Sequence, residues 1–442
     1  MNQDSTRKAR VNVRRAEVME QVEKEIQQHY QSELISHIRS AGNVYNLGHT
    51  EFFLAREFGF CNGVRRAIDI AYAARRVFPD RRIFLIGDII HNPEVNRQLE
   101  EMGIRKLPWK QLDSSYDRVA PDDVVIIPAF GVPTPFMDAL EEKGVQIVDT
   151  TCGDVMKVWK RVKNYAAMGI TSIIHGKATH EETSATASRA LGERGRGKYL
   201  VVYDLEDARI LCDYIMGRGD REAFLKRFEG CCSPGFDPDR DLEEVGIANQ
   251  TTMLKTETQT LQKMVKDAIV QRDGDDDNFY VFDTICGATQ DRQDALYELL
   301  KNPLDVMFVV GGYNSSNTTH LVDIAREHVP TYFIESAECI KSIQYVPTVL
   351  TPIRNMSWNK LYCLHPGNNV PLHRKIWKFR KRSRAVFPML SSAAQATAPC
   401  YGKNGRAAVE RELFFFSFTK PEAFRYLRRS AMRRMVASIR LP

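Results

Sequence analysis

The chain has 442 residues, 43% hydrophobic and 27% charged, a balance that fits a globular protein of two to four domains. No apolar run approaches the ~20 residues of a membrane span. The polar first twenty residues, with acids among their bases, lack a signal core and argue against a transit peptide.

The formal charge of +6 is uneven. Residues 341–442 hold 20 Lys/Arg against 3 Asp/Glu, which leaves 42 against 53 in residues 1–340. The basic character therefore belongs to the tail and says nothing about a ligand of the body. Nine scattered cysteines, with no Cys-x-x-Cys pair, argue against a disulfide framework, a zinc ribbon and a thioredoxin motif. A reducing compartment is expected.

Residues 1–50 read as an accessory helical extension, with Val18, Val22 and Ile26 at i, i+4, i+8. Strand-like and helix-like segments then alternate, which predicts an α/β architecture. The segments 83–86, 124–127, 145–148, 172–174, 199–202, 280–282 and 306–310 read as short buried strands. Cys61, Cys152 and Cys286 each close an apolar run and open a helical pattern. Helix N-termini stabilise thiolates through free N–H groups and the helix dipole. A cysteine after a strand is usually plain core, but three in matched contexts predict three similar lobes whose sulfurs meet at one cluster. Cys212, Cys231, Cys232 and Cys339 lack this context and read as packing or loop residues. The division expected is a first lobe over 51–150, a second over 151–283 with an insertion near 230–241, and a third over 284–340. A divergent tail over 341–442, disordered or loosely helical, follows.

Polar clusters suited to an anion surround these units. Gly311-Gly312-Tyr313-Asn314-Ser315-Ser316-Asn317 follows a strand and opens a helix, placing donors at its N-terminus. An ordinary N-cap explains the same residues equally well. His91 and His180 follow strand ends and are able to neutralise phosphate. Glu182 beside an anion would hold a proton for delivery. Thr251, in Asn249-Gln250-Thr251-Thr252, either caps a helix or bonds a substrate hydroxyl.

Together these motifs resemble, in order, the LytB (IspH) family of 4-hydroxy-3-methylbut-2-enyl diphosphate reductases, most closely its plant and cyanobacterial branch. They are Phe60-Cys61-Asn62-Gly63-Val64, Ile90-His91-Asn92, Asp149-Thr150-Thr151-Cys152, His180-Glu181-Glu182-Thr183, Gln250-Thr251-Thr252, Thr284-Ile285-Cys286 and Asn314-Ser315-Ser316-Asn317. The resemblance spans about residues 15–340. It implies three α/β lobes around a [4Fe-4S] cluster held by Cys61, Cys152 and Cys286, with one iron left open. It implies that His91, His180, Ser315, Ser316 and Asn317 hold the diphosphate, that Glu182 supplies protons, and that Thr251 orients the hydroxyl. It also implies ferredoxin or flavodoxin as electron donor, a small-molecule diphosphate substrate, no membrane or nucleic acid partner, and a bacterial cytoplasm or plastid stroma as the compartment.

Three departures stand out. Phe130 replaces a histidine common in bacterial members, and Gly153 replaces a common proline after the second cysteine. The Gly-x-Thr-x-Gly-Ala-Ser-type turn that closes the third lobe is missing after residue 340, so that lobe is expected to be incomplete. Two further readings follow from the tail. Either the chain is an inactive product of an altered reading frame, or Trp377, Phe379 and Phe414–Phe416 stack on nucleic acid or an acidic surface.

Overall fold

The computed structural model describes residues 10–47, 50–193, 195–282, 284–340 and 415–417. The N-terminal extension forms α1 (Ala16–Tyr30) and α2 (Glu33–Ser40), followed by a hairpin of β1 (Val44–Leu47) and β2 (Thr50–Phe53). Val22, Ile26 and Tyr30 bury one face of α1, in the predicted period, against the first lobe.

The first lobe runs α3 (Asn62–Val77), β3 (Ile83–Ile86), α4 (Pro93–Glu101), β4 (Ile104–Leu107), α5 (Leu112–Asp117), β5 (Val124–Ile127), α6 (Thr134–Lys143) and β6 (Gln146–Asp149). Its strands are all parallel, in the order β4-β3-β5-β6. The second runs α7 (Gly153–Met168), β7 (Thr171–His175), α8 (Glu181–Ala190), β8 (Tyr199–Val202), α9 (Leu205–Ile215), α10 (Arg221–Arg227), α11 (Pro238–Asp241), β9 (Val245–Asn249), α12 (Lys255–Asp273) and β10 (Phe279–Val281). It too is a parallel four-stranded sheet, ordered β10-β9-β7-β8. The third holds α13 (Gly287–Leu299), β11 (Met307–Val310), α14 (Ser316–His328), β12 (Thr331–Ile334) and β13 (Phe415–Ser417).

The two four-stranded sheets follow from their sequences. Strands such as Ile83–Ile86, Val124–Ile127 and Thr171–His175 are buried at every position. That is the signature of a parallel sheet covered by helices on both faces. The expectation that the tail stays outside the third lobe needs correcting, because Phe415–Ser417 pairs antiparallel with Met307–Val309. β11 therefore has β12 on one side and β13 on the other. The rest of the tail, including Trp377 and Phe379, lies outside the described residues.

Parallel sheets open ligand crevices at the carboxyl ends of their strands, and side-chain bonds fix the loops there. Beyond β3, Asn96 of α4 accepts from Ile89 N–H (2.9 Å) and donates to the carbonyls of Ile90 (2.9 Å) and Asn92 (2.9 Å). This buried amide sets the path of the loop carrying His91. Asn96→Leu leaves buried backbone groups unpaired and is expected to cost about 1–3 kcal/mol, read as a lowered urea midpoint at unchanged slope.

Candidate active site

Three loop-to-helix junctions deliver the thiols. Cys61 is the N-cap of α3, Cys152 of α7 and Cys286 of α13. Val64 N–H donates to Cys61 Sγ at 3.4 Å. Burial pushes the Cys152 thiol up, against N–H groups of Asp154 and Val155 that favour the thiolate. Burial pushes Cys286 up to about 11, opposed by Thr289 N–H. The charge of Cys61 raises both of the others, so the three sulfurs sense one another. All three line one cavity of about 180 Å³.

Gly63 opens the space between two of them. A Cβ there would stand 2.5 Å from Cys152 Sγ and 3.8 Å from Cys61 Sγ. Three thiols around a space that even a methyl would fill suit a soft, sulfur-loving metal centre. Burial raises Cys152 and Cys286 above the ordinary thiol range, a cost that a thiolate-bound metal centre removes. The residues present therefore fit an iron–sulfur group.

His91 and His180 line the same cavity. His180 caps α8, and its Nδ1 accepts from Glu182 N–H at 3.1 Å. Neutral His180 thus keeps its proton on Nε2. That nitrogen lies 3.3 Å from His91 Nε2, so the His91 proton sits on Nδ1, which is buried without a partner. Burial lowers the pKa of His91, and it lowers that of His180 to about 3. The Phe130 ring stacks on His91 (centroids 4.3 Å, 21°) and meets His180 edge-on (5.7 Å, 82°).

His91, His180 and Glu181 approach one another within 4.8 Å, close enough to chelate a cation. Proton bookkeeping disfavours that use. A metal on His180 Nε2 needs that nitrogen bare, while Nδ1 already accepts from a backbone N–H. With His180 Nε2–H donating to His91 Nε2, the His91 Nδ1–H is left free, which suits an anion instead.

The third lobe adds donors. Ser315 caps α14, accepting from Thr318 N–H at 3.2 Å and from the Thr318 hydroxyl at 2.9 Å. Its own hydroxyl proton is left to donate elsewhere. Ser316 opens the helix beside it, and Asn317 Oδ1 is buried without a partner. Gly312 packs directly on the first lobe, since a Cβ there would meet His91 O at 2.3 Å.

Glu182 is the acid of the site. Thr251 N–H donates to its Oε1 at 2.6 Å and Thr251 Oγ1 to its Oε2 at 2.9 Å. Gln250 fixes this contact, accepting from Thr183 Oγ1 (3.0 Å) and Lys177 N–H (3.1 Å). Burial raises the carboxyl to about 7, against both Thr251 bonds. Desolvation is the leading cause of that raised value.

Cys61, His91, Cys152, His180, Glu182, Thr251, Cys286, Ser315, Ser316 and Asn317 all line the one cavity. Sequence reasoning passed over Asp154, Thr289 and Arg292, which line it too. Asp154 Oδ2 lies 3.4 Å from Cys286 Sγ and joins the second and third cysteine helices. Arg292 is buried and donates to the carbonyls of Ala288 and Gly59, tying α13 to the loop before Cys61. Helical spacing was the available signal. Thr289 stands one turn beyond Cys286 and Arg292 nearly two, on the same face.

Residues 52–355 match the model of the LytB protein family. The chain is similar to the 4-hydroxy-3-methylbut-2-enyl diphosphate reductase of Thermosynechococcus vestitus, at 49% identity over 346 residues, covering 77% of this chain and 85% of the relative. It is similar to the enzyme of the same name from Synechococcus sp. strain RCC307, at 50% identity over 325 residues, covering 73% and 79%. Among solved structures, it resembles the E-1-hydroxy-2-methyl-but-2-enyl-4-diphosphate reductase from Plasmodium falciparum in fold, with a TM-score of 0.50 at 22% identity, covering 64% of this chain and 76% of that one. The family match runs past residue 340, where the sequence motifs fade, to residue 355.

The Glu182 carboxyl is expected to titrate near 7 in the ligand-free protein, read as an infrared carboxyl band absent from Glu182→Gln. Thr251→Val removes one bond to the charged form and should move that midpoint upward; a fall would contradict the geometry. Because this pKa lies above its unfolded value, its contribution to stability is full below the unfolded pKa of about 4.5 and is lost as pH rises through 7.

Proposed function

Because the chain belongs to the LytB family, we propose that it reduces 4-hydroxy-3-methylbut-2-enyl diphosphate to isopentenyl and dimethylallyl diphosphate, using a [4Fe-4S] cluster on Cys61, Cys152 and Cys286. The observation that carries this reading is the convergence of three cysteine N-caps on the cavity that also holds Glu182 and the two histidines. The net reaction takes up two electrons and two protons, breaks the allylic C–O bond and releases water. The cluster, when bound, supplies electrons one at a time and a Lewis-acidic iron not taken by cysteine.

The diphosphate is held by His91, His180, the Ser315 and Ser316 hydroxyls and the Asn317 side chain. The unpartnered His91 Nδ1 supports this, since a buried N–H without a partner is a cost that an anion removes. Both imidazoles start neutral because burial lowers them. A diphosphate beside them reverses that shift, so binding draws in protons.

Glu182 and Thr251 handle the proton. With Glu182 ionised, the Thr251 hydroxyl points at its Oε2. Once Oε2 carries a proton it becomes the donor, and the Thr251 hydroxyl turns into the cavity to hold the substrate's hydroxyl. A carboxyl near 7 is protonated often enough at neutral pH to deliver to the leaving oxygen or the allylic carbon. Burial keeps the site dry, which strengthens each of these contacts.

The lobe boundaries at 51–150, 151–283 and 284–340 belong to the same reading, as does a reducing compartment, bacterial cytoplasm or plastid stroma. The free state of the described cysteines supports the latter. Among the described residues, no helix is long and apolar enough to cross a membrane.

Anaerobic loading with iron and sulfide is expected to give a brown protein that oxidises reduced methyl viologen only when substrate is present. Cys152→Ser should lose that turnover and about one thiolate's share of iron affinity, while Glu182→Gln should keep the colour and lose turnover at least 100-fold. The wild-type rate should fall as pH rises through 7, because the proton donor is lost. A colourless wild-type chain that binds no iron refutes the assignment.

A further inference from the structure

We propose that the exposed face of α7, with the end of β10 beside it, is the docking surface for an acidic one-electron carrier protein. The proposal rests on the reductase reading above and adds the place where its electrons enter.

Residues 1–340 are acidic as a whole, but this face is not. Lys157, Lys160 and Lys163 project from α7 at exposed positions one turn apart or less. The helix carries a single carboxylate, Asp154, already paired with Lys157 at 2.7 Å. Apolar side chains interleave with these cations. Met156 is 43% exposed, and beside the helix Val281 is 44% and Phe282 40% exposed. Arg161 lies 3.8 Å over the Phe282 ring and joins the two segments into one surface. A basic surface with apolar side chains among its cations, on an otherwise acidic body, is complementary to an acidic partner.

The same face is the short way to the thiols. Gly153 and Gly287 follow Cys152 and Cys286 directly, and a Cβ on either would meet nothing within 4 Å. Two of the three cysteines thus sit one residue beneath open surface. Asp154 links them to the patch, 3.4 Å from Cys286 Sγ and ion-paired to Lys157. A cluster accepts electrons singly, so the partner is a one-electron carrier that must approach closely. The diphosphate-binding wall is built from different elements, α8, the loop after β3 and the start of α14.

The test uses the full chain, loaded anaerobically, with Lys160→Glu and Lys163→Glu combined. These two lysines are chosen because Lys157 supports Asp154. Reduced plant-type ferredoxin and reduced methyl viologen serve as alternative donors. The double variant should raise the KM for ferredoxin about tenfold and flatten its salt dependence, with dye-driven turnover within about twofold of wild type. Lys160→Arg with Lys163→Arg should restore the ferredoxin KM. Calorimetric binding of oxidised ferredoxin should weaken in parallel. An unchanged ferredoxin KM and affinity, or an equal fall with both donors, overturns the proposal. A wild-type chain with no dye-driven turnover refutes the reductase reading itself, a failure separate from that of the docking surface.

Discussion

Three thiols held at helix N-termini around one small space set the terms for the rest of the molecule. Each junction offers its sulfur backbone N–H groups, yet burial outweighs them and keeps Cys152 and Cys286 as neutral thiols. The apo arrangement is therefore primed rather than satisfied. Loading a metal centre releases protons from these sulfurs and couples affinity to pH. It also couples affinity to lobe packing, because the sulfurs come from three separate junctions. Asp154 and Arg292 bridge those junctions directly, one to Cys286 and one to the carbonyl of Gly59.

Across the cavity the chain accumulates a second unmet demand. Buried His91 Nδ1 and Asn317 Oδ1 have no partner, and two neutral imidazoles face one another through their Nε2 atoms. Hydrophobic groups of equal size would have stabilised the fold more. Such a polar set is a cost to folding that a ligand offering the missing partners would recover. Glu182 stands between the two demands. The same dryness that leaves the histidines neutral lifts its carboxyl into the range where it exchanges protons at neutral pH. One physical variable, exclusion of water, thus tunes three titrating groups in directions that serve one reaction.

Much of this was legible in the residues. The parallel strands showed because they are apolar at every position, as in Ile83–Ile86 and Val124–Ile127. β4 was hidden because Arg105 and Lys106 interrupt Ile104–Leu107, which is buried only at its ends. β12 was hidden for a similar reason, being half-exposed at Thr331 and Tyr332. The cysteine junctions and both histidines were visible as polar residues at strand ends. What could not be read was partnership across lobes. No spacing connects Arg292 to Gly59, or Thr251 to Glu182, since those contacts exist only once separate elements have packed. The pairing of Phe415–Ser417 with β11 escaped for the same reason, as a strand of three residues in a basic tail has no local signature.

The third lobe carries the argument furthest. Among the described residues its sheet has three strands where the others have four, and one of them arrives from more than seventy residues beyond β12. Yet this lobe supplies Cys286 through α13 and the cavity-lining Ser315, Ser316 and Asn317 at the start of α14. Its hold on the rest comes from an apolar core shared with α2 and the segment Phe52–Phe58, and from close approaches beside the cavity. Gly312 lies against His91 O, His320 Nδ1 meets Thr252 O at 2.9 Å, and Arg292 reaches Gly59. A small lobe held by that shared core, with these contacts near the cavity, trades independent stability for registration. Ligands that bridge it to the other two, sulfur-bound metal on one side and diphosphate on the other, would then stabilise the native state by binding it preferentially. On that logic, occupation of the site and completion of the fold are a single equilibrium.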